Sequence, residues 1–315
     1  MINVFLQKMK SIMQSTQNFK TLISNLSLLK NRKRVALVCP NDSHTEYVIN
    51  RGLEEGIADF LLCTGGTKAD FVCELAEKYP DHVSIHEAEN PDAAAALSVQ
   101  IVREGKADVL MKGTINTDNL LRAVLNKEHG LLEKGRVMTH VTVAQIPSYD
   151  KFLVFSDAAV IPRPTEEQFD AILGYVVDVC RNLGKERPNV ALIHCTEKVS
   201  EKFPHTLSYE TLMKKAKEGA YGDVVVDGPM DVKTACDADS GAIKGIASPV
   251  VGNADALIFP NIESGNVFYK TITLFGGAET AGMLYGTTAP IVVASRADSG
   301  ESKFYSLAVA CISHK

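Results

Sequence analysis

No tryptophan occurs in the 315 residues, and aromatic side chains make up only 7% of them. No apolar run approaches the roughly 18 residues that a membrane-spanning helix needs, and no signal-peptide core with a small-residue cleavage site is present. A soluble, cytoplasmic protein without a membrane partner is the expectation. The seven cysteines (Cys39, Cys63, Cys73, Cys180, Cys195, Cys236 and Cys311) are odd in number and no two are spaced as CxxC. That argues against zinc, iron–sulfur and secreted disulfide scaffolds, and for reduced thiols. Cys39, Cys63 and Cys195 end or follow apolar runs, where burial is expected. No His/carboxylate ligand cluster and no GxxxxGK[ST] loop is found, so neither a metal nor a P-loop site is expected. Strong positive charge is missing as well. At a net charge of −5 the whole-molecule field offers nothing to nucleic acid, and any polyanionic ligand must be held by local basic groups.

What is present is an ordinary globular composition, 45% hydrophobic and 23% charged, in a chain long enough for two α/β domains. The charge is uneven. Residues 1–34 hold seven Lys or Arg and no acid, which leaves 26 basic against 38 acidic residues in the rest. Phe5, Met9, Ile12, Phe19, Ile23 and Leu26 recur in this leader at helical spacing. Transit peptides and membrane-surface helices share that pattern, but a helix docked on its own domain is the plainer expectation.

From residue 33 short apolar runs alternate with amphipathic stretches. Strands are expected at 33–40, 60–63, 83–86 and 107–111, with helices at 46–57, 68–78, 92–104 and 116–126, the last capped by Asn116 or Thr117. This alternation implies βαβ units and a parallel sheet. The rhythm changes after Arg136. Segments 137–146 and 151–155, joined by Pro147-Ser148-Tyr149-Asp150, read as an antiparallel hairpin, and a domain boundary is placed near residue 137. Thr165 and Gln168 have the spacing of a capping box that opens a helix ending near Gly184. Further strands are expected at 190–194, 224–226, 256–259 and 291–294, and a last apolar helix at 302–312.

Three strand ends carry chemistry. The first is Lys112-Gly113-Thr114-Ile115-Asn116-Thr117. It combines a glycine that admits close backbone approach, side-chain donors, a cation and a helix N-terminus suited to an anion. The second, residues 260–270, offers Asn261, Glu263, Gly265, Asn266 and Lys270; its plainer alternative is a polar loop with Asn266 as helix cap. The third, residues 295–303, presents Ser295 and Arg296, whose planar fork matches phosphate, with Asp298 and Glu301 following. Each alone fits a capped turn. Together they predict a site for a phosphorylated ligand between the domains. His129, His140 and His194 have no partner motif and read as structural, and Arg122 and Arg136 as helix-surface ion pairs or contacts to phosphate.

The stretches MKGTINTDNLLRAVL, DGPMDVKTA, PNIESGNVFYKTIT and PIVVASRADSGESK resemble the phosphate acetyl/butyryltransferase family, over most of the chain from about residue 34 to 311. The resemblance implies two α/β/α domains like those of isocitrate and isopropylmalate dehydrogenases, with the active site in a cleft. The domains are expected at residues 1–136 plus 283–315 and at 137–282, in a homo-oligomer. It further implies reversible acyl transfer between coenzyme A and inorganic phosphate, on butyryl or a similar short chain, with acetyl transfer as the alternative. Coenzyme A is then a substrate, and no cofactor is permanently bound. A silent coenzyme A- or phosphate-binding protein on the same fold is a further alternative.

By the same resemblance Ser295 and Arg296 contact the phosphate and the transition state. Gly113, Asn116 and Thr117 form the phosphate-side loop, and Asn261, Gly265, Asn266 and Lys270 the second loop. Relatives that transfer acetyl groups carry an acid seven residues after the serine. Here that position is Ser302, so the base for the thiol falls to Glu301 or Asp298. A thiol with a pKa of about 8.5 needs such help at neutral pH. Direct attack in a ternary complex is expected, because none of the cysteines lies in the three loops.

Overall fold

The structure is a computed structural model that describes residues 16–294 and 298–313. The chain forms two compact units: Phe19–Met138 with the segment from Thr280 onward, and residues 16–18 with Thr139–Glu279.

The first unit contains α1 (Phe19–Leu29), β1 (Lys33–Val38), α2 (Ser43–Glu54), β2 (Ala58–Gly65), α3 (Asp70–Lys78), β3 (Val83–Ala88), α4 (Pro91–Arg103), β4 (Val109–Lys112) and α5 (Thr117–Val124). The second contains β5 (Thr139–Gln145), β6 (Leu153–Ser156), α6 (Glu166–Asn182), β7 (Asn189–Ile193), α7 (His205–Lys217), β8 (Val225–Met230), α8 (Val232–Cys236), α9 (Ala238–Lys244), β9 (Ala256–Ile258) and α10 (Ile262–Leu274). The chain then returns to the first unit through β10 (Glu279–Tyr285), β11 (Ile291–Val292) and α11 (Gly300–Ile312).

In the first unit the strands run β3-β2-β1-β4-β11-β10, parallel except for β10 against β11. Val35–Val38 and Val109–Lys112 are buried at every position, as strands covered on both faces must be. The covering helices form two groups. One is α4 with α5; the other is α1 and α2 packed on α11. The apolar spacing of the leader continues into α1, whose Phe19, Leu22, Ile23 and Leu26 are buried, and Phe19 stacks on Tyr305 with ring centroids 4.3 Å apart. Phe5, Met9 and Ile12 lie outside the described residues.

The second unit orders its strands β5-β6-β9-β7-β8. The expected hairpin is there, with β5 antiparallel to β6, and the others run parallel. The period of two sorts side chains by face. Leu153, Phe155, Ala191, Ile193 and Leu257 join a core with Phe259 and Ile272, and α10 adds Phe268 and Tyr269. Thr165 and Gln168 form the capping box reciprocally, Oγ1 accepting from the Gln168 amide and Gln168 Oε1 from the Thr165 amide.

Three expectations are corrected. Residues 262–270 are helix, not loop: Asn261 is the cap of α10, its Oδ1 accepting from the Ser264 amide at 2.9 Å, and Asn266 is a full turn inside. The amide-rich composition reads as loop, but one extended Asn supplies the first-turn acceptor and burial of Phe268 and Ile272 carries the rest. Strand β10, which the sequence reading did not expect, opens with Glu, Thr, Ala and Gly and so lacks a clear apolar alternation; it runs antiparallel to β11 with Leu284 opposite Ile291. Cys195 is exposed, because the chain leaves the core directly after the buried His194.

Candidate functional site

In the first unit β1, β4 and β11 are neighbouring parallel strands, so the segments that follow them emerge at one edge of the sheet. In open α/β sheets this carboxyl edge is where ligands bind. After β1, Asp42 caps α2, its Oδ1 accepting from the Thr45 amide at 2.7 Å. After β4, Asn116 occupies the cap position of α5 without a side-chain cap bond. After β11, Ser299 caps α11 through the Ser302 amide at 3.1 Å. Three helix N-termini thus share one edge, each a source of partial positive charge.

The first predicted loop is tied to the end of β1. The Gly113 amide donates to the Val38 carbonyl at 2.8 Å, and the Thr114 amide and hydroxyl both donate to the Cys39 carbonyl, at 2.9 and 3.0 Å. A Cβ on residue 113 would lie 2.3 Å from the Cys39 oxygen, so only glycine permits this approach. Lys112 is buried, and its ammonium donates to the Gly113 carbonyl at 3.3 Å.

Lys303, on the first turn of α11, is the cation that sequence reading passed over. It is only 6% exposed, and its Nζ lies 3.3 Å from His44 Nδ1. Its charge also reaches Asp42. Burial pushes that carboxyl up, but the bonds from Thr45, with Lys303 and His44, outweigh it and hold Asp42 below the usual range. A lysine opening a mostly apolar helix was the available signal. Asn41, in the same turn, donates to Thr67 Oγ1 at 3.2 Å, while its buried Oδ1 has no partner among the described residues. An orphaned acceptor at a strand edge is a place for a ligand's N–H or O–H group.

Ser295 and Arg296 lie outside the described residues. Asp298 is half-buried just before the Ser299 cap, and Glu301 is exposed on α11. The Glu301 carboxylate accepts from the Tyr305 hydroxyl at 2.9 Å and lies 3.9 Å from the Arg51 guanidinium. Ser302 donates to the Thr280 carbonyl at 2.9 Å.

The remaining candidates belong to the second unit, at the end of β9. Asn261 caps α10; Glu263, Asn266 and Lys270 are exposed on it, and Gly265 is buried. Asn266 Nδ2 donates to the Ala158 carbonyl at 3.1 Å, and the Lys270 ammonium sits 4.3 Å from the Tyr269 ring centroid. Beneath them is a residue that sequence reading missed. Asp157, 1% exposed, accepts from Thr139 Oγ1 at 2.7 Å and from the amides of Ala159, Val160 and Ile161 at 2.7, 2.9 and 3.0 Å. It fixes the turn after β6 on which α10 rests. Its sequence context, two residues past a short apolar run, looks like any strand end.

Arg122 is the basic residue in the last turn of α5, and His140 Nδ1 lies 3.2 Å from Thr142 Oγ1. Among the described residues no group of three or more His, Cys, Asp or Glu has the geometry to hold a metal ion, and no helix is long and apolar enough to cross a membrane.

The family model described as phosphate acetyl/butaryl transferase matches residues 66–311. A probable phosphate butyryltransferase from Bacillus subtilis is 37% identical over 292 residues, spanning 92% of this chain and 96% of its own. A phosphate acetyltransferase from Thermotoga maritima is 33% identical, over 89% of this chain and 95% of its own. Among solved structures, a branched-chain phosphotransacylase from Enterococcus faecalis superposes with a TM-score of 0.78 at 28% identity, over 90% of this chain and all of the other. With a family match across most of its length and relatives of comparable size, the chain belongs to the phosphate acetyl/butaryl transferase family.

Proposed function

We propose that the protein transfers a short acyl group reversibly between coenzyme A and inorganic phosphate, butyryl-CoA and phosphate giving butyryl phosphate and coenzyme A. The observation that carries the reading in this chain is the shared carboxyl edge of β1, β4 and β11. Three helix N-termini and the buried Lys112 and Lys303 are gathered there in a protein of net negative charge. That edge suits a phosphate or acyl-phosphate dianion.

Lys112, Gly113, Thr114, Asn116 and Thr117 are assigned to the phosphate side, and Asn261, Glu263, Gly265, Asn266 and Lys270 to the rest of the substrates. Ser295 and Arg296 are assigned to the phosphate and to charge that develops on the carbonyl oxygen. In the direction of coenzyme A acylation its thiolate attacks the acyl-phosphate carbonyl carbon, the carbon–oxygen bond to phosphate breaks, and phosphate leaves. Asp298 or Glu301 takes the thiol proton. Coenzyme A is a substrate here, not a resident cofactor. The two units serve as the two domains of a homo-oligomer, and the unpaired cysteines support a reducing compartment such as the cytoplasm.

Butyryl and acetyl transfer differ by two methylenes, each worth only about 1–3 kcal/mol in an apolar pocket, so overlapping chain lengths are expected. The test is release of free thiol from acyl-CoA of two to six carbons, with and without phosphate. Phosphate-dependent release peaking at four carbons is expected, with loss of at least about a hundredfold in Arg296→Ala. Release that ignores phosphate, or none at any length, overturns the assignment.

A further inference from the structure

One cluster of titratable side chains has no part in the assignments above. It stands in the second unit where β7 ends. His194 and Cys195 follow Ile193 directly, and His205 opens α7. The three make a chain: His194 Nε2 lies 3.7 Å from Cys195 Sγ, and His194 Nδ1 lies 3.1 Å from His205 Nε2.

The ring between the two contacts is firmly held. His194 is buried, packed edge-on against Phe203 and His205 with centroids 4.7 and 4.9 Å away. His205 packs in turn on Tyr209 at 5.5 Å, and the Tyr209 hydroxyl donates to the Ile193 carbonyl at 3.0 Å. Cys195, by contrast, is exposed.

One tautomer satisfies both contacts. With its proton on Nδ1, His194 donates to His205 Nε2 and leaves its own Nε2 bare to accept from the thiol. Burial holds both imidazoles below their usual range, and His205 is lowered further by His194 beside it. Both are therefore neutral near pH 7, the form that this tautomer requires. An exposed thiol, a base against it and a third group that orients the base is the arrangement by which nucleophilic cysteines are activated. The buried thiols are placed for the opposite: burial pushes Cys39 and Cys63 up to about 11 and Cys311 up to about 12.

We propose that Cys195 is a further reactive centre, a nucleophilic thiol that takes a short acyl group from an activated carbonyl as a thioester, with His194 as its base and His205 as a positioning residue. The choice of an acyl group rests on the transferase reading; the activated thiol does not. In the step, the Cys195 proton passes to His194 Nε2 as Sγ bonds the acyl carbon. The bond from that carbon to the phosphate oxygen, or to the coenzyme A sulfur, breaks. The leaving phosphate or thiolate then recovers the proton from His194, and no redox change is involved.

The full-length protein is treated in separate arms with butyryl phosphate, butyryl-CoA and iodoacetamide, and adducts are mapped by mass spectrometry. A hydroxylamine-labile butyryl adduct on the Cys195 peptide is expected, absent in Cys195→Ser. Labelling in His194→Gln and in His194→Phe should be slower by at least about tenfold, within the range of a lost general base. The phenylalanine variant keeps an aromatic ring against Phe203, so slowing in both variants cannot be put down to the packing lost in the glutamine variant. The two butyryl arms identify the donor. Iodoacetamide should alkylate Cys195 at least about tenfold faster than the half-buried Cys73. No butyryl adduct in either arm, or wild-type labelling rates in both His194 variants, overturns the proposal. The thiol-release assay on the same preparation separates the two readings. Active enzyme without an adduct defeats the thioester alone. Inactive protein whose Cys195 still alkylates in a His194-dependent way defeats the transferase reading and supports the thiol centre.

Discussion

Gly265 stands against the main-chain oxygen of Asp157, so closely that a Cβ at 265 would lie 2.1 Å from it. Helix α10 can approach the turn after β6 only because that position has no side chain, and Asn266 then reaches the Ala158 carbonyl. Gly265→Ala must displace either the helix or the turn. The expected cost is about 1–3 kcal/mol, as for overpacking a tight contact, seen as a lower urea midpoint with an unchanged slope. A midpoint equal to wild type would mean that the helix packs elsewhere.

Asp157 is the acceptor that holds that turn. In Asp157→Asn one carboxylate oxygen becomes an NH2 group that faces amide donors instead of accepting from them. An expected loss of about 2–3 kcal/mol follows from leaving buried donors unpaired. Asp157→Ala, which removes every acceptor, should cost more. If the alanine variant is as stable as the asparagine one, the hydrogen bonds are not what fixes the turn.

Lys303 is buried beside His44 at the carboxyl edge of the first sheet. Lys303→Gln keeps most of the stem and removes the charge. The expected result is a KM for phosphate raised about tenfold, equivalent to about 1.4 kcal/mol, with a smaller effect on kcat. Unchanged phosphate dependence would remove Lys303 from the site.

His194 and His205 give the fold a defined response to acid. Both are held below the unfolded value of about 6.5, so below that pH the unfolded chain binds more protons than the native one. Their effect on stability is flat above about pH 6.5, and stability falls as the pH drops from there towards their native pKa values. Urea midpoints between pH 7.5 and 5 should show this decline, and His194→Gln with His205→Gln should flatten it. Equal slopes in wild type and the double variant would exclude the pair as its source.

Phe19 is fully buried and stacked on Tyr305 of α11. Phe19→Ala should destabilise by about 3–5 kcal/mol, the usual range for removing a core aromatic. Phe19→Leu should cost much less. A loss in thermal midpoint confined to the alanine variant would show that α1 is part of the first unit's core.

By itself the sequence determined the α/β class, the parallel order of apolar runs, the hairpin at residues 139–156, the capping box at Thr165 and Gln168, and the family. Each depends on residues near one another in the chain: strand period, cap chemistry, or a contiguous motif such as PNIESGNVFYK. Tertiary structure decided what depends on neighbours distant in sequence. Helix α10 begins at Asn261 because its apolar face has a core to bury. Lys303 is placed by α11 packing beside the turn after β1, 259 residues from His44 along the chain. Asp157 and the Cys195–His194–His205 chain lie close to most of their partners in sequence, but only the folded course of the turns after β6 and β7 aims those groups at one another.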